Sequence, residues 1–223
     1  MEKLLDGFGI KPNNIGYYEV AFTHSSYATC NDLEYNYERL EFLGDTVLST
    51  LVSVFLYKMH PEFGEGKLTK IRANYVCQQA LIVYSRRYNL DKYIKINLDD
   101  KRITDNEVIS ITADVFESFI GAIYLDKGID VVDDFLKRTV YPYILEKKVF
   151  FYDYKSTLKE YADVNEVEIE YIVMKEYGLP HDKTFIIKVH VNGENLGVGK
   201  GKNKKDAEQE AAKKALSYLG VGS

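Results

Sequence analysis

Apolar positions recur at helical spacing from Ile15 to Leu145, in segments interrupted by Pro61, Gly64, Gly66 and the polar run Asn97-Leu98-Asp99-Asp100-Lys101. The pattern predicts an all-α region. Past Glu146-Lys147-Lys148 and the aromatic cluster Phe150-Phe151-Tyr152, which read as a short connector, the period changes. A helical stretch over Tyr154–Ala162 precedes alternating, strand-like runs near Ile169–Lys175, Thr184–Val191 and Glu194–Lys200, and an alanine-rich helix over Lys204–Leu219 closes the chain. Asn192-Gly193 between the last two strands is a hairpin signal, because both residues tolerate positive φ. The expected architecture is an all-α domain over residues 1–148 followed by a small α+β domain, helix, three strands, helix, over residues 153–221.

Composition narrows the class of protein. With 46% apolar residues in 223, each part can bury a core, so disorder over most of the chain is excluded. No run of 18 uninterrupted apolar residues occurs, and the first residues lack the pattern of a secretory signal, so a soluble intracellular protein with no membrane partner is expected. Cys30 and Cys77 have no zinc-ligand spacing around them and are read as reduced thiols. The net charge of −5 does not suggest a nucleic-acid binder. Residues 151–223 hold 11 Lys plus Arg against 12 Asp plus Glu, so any surface for nucleic acid must be a local patch.

The stretch Asn36-Tyr-Glu-Arg-Leu-Glu-Phe-Leu-Gly-Asp-Thr-Val-Leu48 carries the most chemistry. At helical pitch Glu38, Glu41 and Asp45 fall within an arc of roughly 60°, with Leu40, Leu43, Val47 and Leu51 opposite. A second helix repeats the device: Asp114 and Glu117 share one face, and Phe116, Phe119 and Ile123 line the other. Gly121 lies one turn beyond Glu117, where a missing side chain admits another helix or a substrate backbone. Like charges at these spacings cost a helix about 0.2–0.5 kcal/mol per pair. A hard divalent cation with oxygen ligands would offset that cost. A solvated acidic face is the other reading, and spacing leaves both open because it does not show the two helices adjacent.

Four ordered motifs carry a family resemblance over nearly the whole chain. Glu38-Arg-Leu-Glu-Phe-Leu-Gly-Asp45 resembles the signature motif of ribonuclease III, with Thr46 where Ser or Ala follows. Ala21-Phe-Thr-His-Ser-Ser-Tyr27, Glu65-Gly-Lys-Leu-Thr-Lys-Ile-Arg-Ala73, and Asp114-Val-Phe-Glu117 with Gly121-Ala-Ile-Tyr-Leu-Asp126 resemble its other segments. The resemblance implies an Mg²⁺-dependent endonuclease for double-stranded RNA, with Mn²⁺ able to substitute. It implies 5′-phosphate and 3′-hydroxyl products and a role in processing rRNA precursors and other structured transcripts in the cytoplasm. Glu41, Asp45, Asp114 and Glu117 become the metal cluster, Asp45 and Glu117 the chief catalytic pair, and Glu38 and Glu65 additional acids near the scissile phosphate. A homodimer is implied, one cluster for each RNA strand. His24 is read as a structural residue of an early helix, and the tyrosines as packing residues with a minority of hydroxyls on RNA.

Residues 153–220 are similar to a double-stranded-RNA-binding domain. The matching pieces are Asp153-Tyr-Lys-Ser-Thr-Leu-Lys-Glu160, the loop Gly178-Leu-Pro-His-Asp-Lys183, and Gly199-Lys-Gly-Lys-Asn-Lys-Lys-Asp-Ala-Glu-Gln-Glu-Ala-Ala212, a glycine-spaced turn before a lysine-led alanine helix. The similarity implies RNA contacts from Lys155, Lys159, Glu160, His181, Lys202, Lys204 and Lys205. Lys204 and Lys205 would sit where a helix N-terminus already favours phosphate, and the first helix and the His181 loop would reach 2′-hydroxyls in successive minor grooves. Lys159 stands where the family has Gln and cannot accept from a base edge. Asn203 stands for a common Ser, and Leu179-Pro180 for a Pro followed by a variable residue. The rival reading is a non-catalytic double-stranded-RNA-binding scaffold, whose mark would be lost metal-ligand acids. A metal-dependent hydrolase of small substrates leaves the C-terminal module unexplained.

Overall fold

The computed structural model describes residues 1–100, 103–179 and 182–221, apart from the side chains of Asp105 and Asp182. The chain divides into two compact units, Met1–Phe151 and Tyr152–Ser223.

The first unit is helical: α1 (Glu2–Phe8), α2 (Ile15–Ala21), α3 (Ser25–Cys30), α4 (Glu38–Met59), α5 (Glu65–Val76), α6 (Gln78–Arg87), α7 (Asp105–Lys127), α8 (Ile129–Thr139) and α9 (Tyr141–Leu145). Its core is built on α4 and α7. Leu40, Val47, Leu48, Val52 and Leu56 of α4 and Val115, Phe116, Phe119, Ile120 and Ile123 of α7 are buried together with Phe22, Tyr84 and Leu136. These two helices are long and apolar enough to cross a membrane; the apolar residues just named lie in this core, while Phe42, Val54 and Tyr57 of α4 are exposed. A capping box starts α7: the Thr104 hydroxyl accepts from the Glu107 N–H, and the Glu107 carboxylate accepts from the Thr104 N–H.

At its other end α7 is tied to the start of α2. Asp126, 8% exposed, accepts hydrogen bonds from the backbone N–H of Asn13 and Asn14 and from the Tyr18 hydroxyl at 2.9 Å. A buried carboxylate is tolerated only when its oxygens are supplied with donors, and here three groups supply them. The segment read as a connector is partly core: Phe150 packs against the Tyr75, Tyr84 and Tyr143 rings, and the Asn74 amide oxygen accepts from the Phe150 and Phe151 N–H groups.

The second unit runs α10 (Tyr154–Asn165), β1 (Ile169–Leu179), β2 (Asp182–Val191), β3 (Glu194–Gly201) and α11 (Lys204–Tyr218), with the strands antiparallel in the order β1-β2-β3. Helix, three strands, helix is the expected order, though β1 runs past Lys175 to Leu179. Asn192 and Gly193 both take positive φ between β2 and β3, as the hairpin signal requires. The glycine-spaced piece at Gly199 and Gly201 is not a turn but the end of β3. From Gly197 on, every second residue of that strand is glycine, and a Cβ at any of the three would overlap the α11 backbone around Ala207 and Ala211. Glycine on one partner and alanine on the other let helix and sheet approach more closely than larger side chains allow. Alternating glycines resemble turn punctuation, although the strand-like run over Glu194–Lys200 already matches β3 to within one residue.

Candidate active site and RNA-binding surface

The N-terminal end of α4 crosses the middle of α7 at two glycines. A Cβ on Gly44 would overlap the backbone carbonyl oxygen of Glu117, and a Cβ on Gly121 would overlap that of Leu40. Gly121 thus admits a helix, one of the two partners expected for it. The crossing sets the acidic face of α4 beside that of α7, so Glu41, Asp45, Asp114 and Glu117 form one cluster.

Electrostatics record the proximity. Burial pushes the Glu117 carboxyl up to about 8, and the charges of Asp45, Glu41 and Asp114 add to the rise. Glu41 is pushed up to about 7 by burial and then by Asp114, Glu38 and Asp45. Asp114 is raised by burial, with the Tyr37 hydroxyl and His24 opposing the rise. Carboxyls raised this far by burial and by one another mark a candidate functional site. Asp45 is exposed, with the Ser49 hydroxyl 3.4 Å from Oδ1, and Glu38 is exposed at the start of α4. Glu65 stands apart. It heads α5 and lines a hollow with Ser53, Val54, Leu56 and Tyr57, so it lies beside α4 residues about 12–18 Å further along the axis than Asp45, at 1.5 Å per residue.

The donor set fits a hard divalent cation, since all four groups offer carboxylate oxygen and none offers nitrogen or sulfur. Among the described residues no three His, Cys, Asp or Glu side chains stand close enough to share one ion as placed. The fit is therefore one of charge and donor type.

His24 is a cap rather than a base. Its Nδ1 accepts from the Ser26 N–H at 3.1 Å and begins α3, and burial holds its pKa below the usual imidazole value. Tyr37 is the residue that sequence reasoning missed. Its ring is 4% exposed, and its hydroxyl donates to Asp114 Oδ2 at 3.0 Å. The signal was available, because Tyr37 precedes Glu41 by one helical turn and so continues the acidic face.

In the second unit Asp153 caps α10, accepting from the Ser156 N–H at 3.1 Å and from Gln209 Nε2 at 2.8 Å, which latches α10 to α11. Lys155 is committed inside the unit: it pairs with Glu208 and lies over the Tyr171 ring. Lys159, Glu160, Lys202, Lys204 and Lys205 are exposed, the last two in the first turn of α11, whose N-cap Asn203 accepts from the Asp206 N–H at 2.9 Å. His181 and Pro180 lie outside the described residues.

Comparison with known proteins gives two family models, "Ribonuclease-III-like" over residues 14–144 and "Double-stranded RNA binding motif" over residues 154–219. A Ribonuclease 3 of Latilactobacillus sakei is 42% identical over 218 residues, covering 95% of this chain and 94% of the relative. One of Listeria monocytogenes is 40% identical over 222 residues, covering 98% and 97%. A solved nuclease domain of Campylobacter jejuni ribonuclease III, described for flexibility in a region involved in its dimer formation, matches with TM-score 0.58 and 30% identity. It spans 63% of this chain and 96% of its own.

Proposed function

The chain belongs to the ribonuclease III family, and from that membership we propose how this endoribonuclease cleaves double-stranded RNA: with Mg²⁺, for which Mn²⁺ can substitute, held by Glu41, Asp45, Asp114 and Glu117. The observation that carries the proposal is the glycine crossing of α4 and α7, which brings two acidic faces together and leaves Glu41 and Glu117 with raised pKa values. A bound divalent ion supplies positive charge, ligation of phosphate oxygens and acidification of a water molecule.

The protein groups divide the remaining work. Asp45, exposed at the rim, and Glu117, half-buried behind it, orient the phosphodiester and the attacking water between them, while Glu41 and Asp114 fix the base of the cluster. Glu38 extends the acidic face toward the scissile phosphate. Water adds to phosphorus in line with the departing 3′ oxygen, which leaves a 5′-phosphate on one product and a 3′-hydroxyl on the other. A non-catalytic scaffold would have no use for four acids whose mutual repulsion costs stability.

RNA is gripped by the second unit, through Lys202, Lys204 and Lys205 around the α11 N-terminus, Lys159 and Glu160 on α10, and His181. Lys155 contributes mainly by holding α10 against Glu208 and Tyr171. The working form is a homodimer. Phe42 on α4 is 79% exposed, beside a hollow whose apolar side is formed by Tyr17, Val20, Ala28, Leu33 and Leu125 and which Glu34, Glu38 and Arg39 also line. Knob and hollow on one surface are what a two-fold, self-complementary interface requires. In such a dimer Glu65, too far from its own cluster, can serve only the cluster of the other chain. Processing of rRNA precursors and other structured transcripts, in the cytoplasm, is the role this activity fits.

The direct test incubates a long, end-labelled RNA duplex with the protein in EDTA or Mg²⁺. Short fragments with 5′-phosphates, formed in Mg²⁺ alone, support the proposal. An intact duplex in Mg²⁺, or equal cleavage in EDTA, overturns it.

A further inference from the structure

Tyr37 stands at the N-cap of α4, one residue before the acidic face begins. Three contacts hold it. Its N–H donates to the Thr23 carbonyl at 2.9 Å, its ring lies 5.7 Å from that of His24, and its hydroxyl donates to Asp114 Oδ2 at 3.0 Å. The His24 end is itself fixed: the Nδ1 cap of α3 sets the ring, and the His24 N–H donates to the Lys95 carbonyl at 3.0 Å. A rigid donor on α4 therefore reaches across to a half-buried carboxylate on α7.

We propose that Tyr37 is a positioning residue for the cation site: its hydroxyl locks the Asp114 carboxylate in one orientation, leaving Oδ1 to face the cluster. This rests on the reading of Asp114 as a metal ligand. The physical reason is that an unanchored aspartate rotates about two torsions and must be ordered when the ion arrives. A hydrogen bond to the oxygen that does not bind removes that cost in advance, as outer-shell partners of metal ligands do generally. Acceptance of a neutral hydroxyl also leaves the full negative charge of Asp114 for the ion, which a lysine or arginine partner would cancel.

Tyr37→Phe keeps the buried ring and removes only the hydroxyl. The test titrates RNA-free protein with Mn²⁺ and reads the free ion by its paramagnetic resonance signal, for wild type, Tyr37→Phe, Asp114→Ala and the double variant, with melting temperatures in EDTA beside them. Asp114→Ala is expected to weaken Mn²⁺ binding strongly and Tyr37→Phe by about tenfold. With Asp114 already gone, Tyr37→Phe is expected to change affinity by less than about twofold, because it acts through that carboxylate. The Mg²⁺ concentration that half-saturates cleavage should rise in step, with the maximal rate held within a few fold. A lower melting temperature with unchanged Mn²⁺ affinity makes Tyr37 merely structural and overturns the inference, as does a tenfold loss that persists in the Asp114→Ala background. If Asp114→Ala binds Mn²⁺ as wild type does, the four-carboxylate site itself fails, and the inference fails with it.

Discussion

Gly44 and Glu117 touch backbone to backbone: a methyl group on Gly44 would overlap the Glu117 carbonyl oxygen, and its nearest further neighbour would be the Gly121 nitrogen at 3.0 Å. The neighbours are helix backbone, not the end of a flexible side chain, so the only relief is separation of α4 from α7. Gly44→Ala should therefore destabilise the first unit by about 1–3 kcal/mol or more and also weaken metal binding, because the two halves of the acidic cluster sit on the two helices. Thermal melts with and without Mg²⁺ check both effects. A variant as stable as wild type, with the same Mg²⁺-induced rise, would mean that the crossing does not assemble the site.

The raised carboxyls make a pH prediction with a definite sign. Glu41 and Glu117 sit at about 7 and about 8 in the folded protein against an ordinary value of about 4.3 when unfolded. The native state thus binds more protons than the unfolded one between these values, and stability falls as pH rises through about 7 and about 8. In EDTA the wild-type melting temperature should drop between pH 6 and pH 9. Glu117→Gln should drop less and overtake wild type at the alkaline end. Mg²⁺ should restore the wild type at pH 8 more than the variant. Parallel curves for the two proteins in EDTA would show that Glu117 feels no repulsion in the cluster.

Phe42 and the hollow beside it predict self-association. Sedimentation at micromolar concentration should give about twice the 25.7 kDa chain mass, and Phe42→Glu should move the protein to monomer by placing a charge where the interface would bury an apolar ring. A wild type that is monomeric and fully active would exclude the dimer.

How much of this was legible in the sequence depends on the range of the interactions. The change from helical to alternating spacing after residue 150 needed only local pattern, and so did the separation of acids from Phe116, Phe119 and Ile123, which are all fully buried. Gly121 could be marked as a point of close approach, but only the fold shows that the Leu40 backbone fills it. Helical spacing places Tyr37 on the acidic face but cannot name its partner, since the hydrogen bond to Asp114 spans 77 residues, and tyrosine is common enough here to be read as packing. Lys155 looked like the other basic residues because nothing local announces Glu208 as its partner. Glu65 shared a motif order with the cluster and not its place, since sequence gives order and the α4 helix imposes distance.

Changing the lysine pair at the head of α11, Lys204→Ala with Lys205→Ala, should weaken all RNA duplexes about equally, because phosphate contacts position a protein without reading bases. Loss of roughly two such contacts should make the plot of log affinity against log salt shallower by about 1–2 units. Cleavage should recover at low salt, since the acidic cluster is untouched. Isotherms on two unrelated duplexes decide it: an unchanged salt slope, or a loss confined to one sequence, would remove these lysines from the interface.

The most direct measurement pairs cleavage with binding in Glu117→Gln. The substitution keeps the shape of the side chain and removes the charge at the centre of the four-carboxylate cluster, and it leaves the second unit unaltered. Gel shifts of a duplex in the absence of metal should therefore be nearly those of wild type, and cleavage in Mg²⁺ should be abolished. Cleavage by Glu117→Gln within about tenfold of wild type, a difference of only about 1.4 kcal/mol in the barrier, would contradict the account.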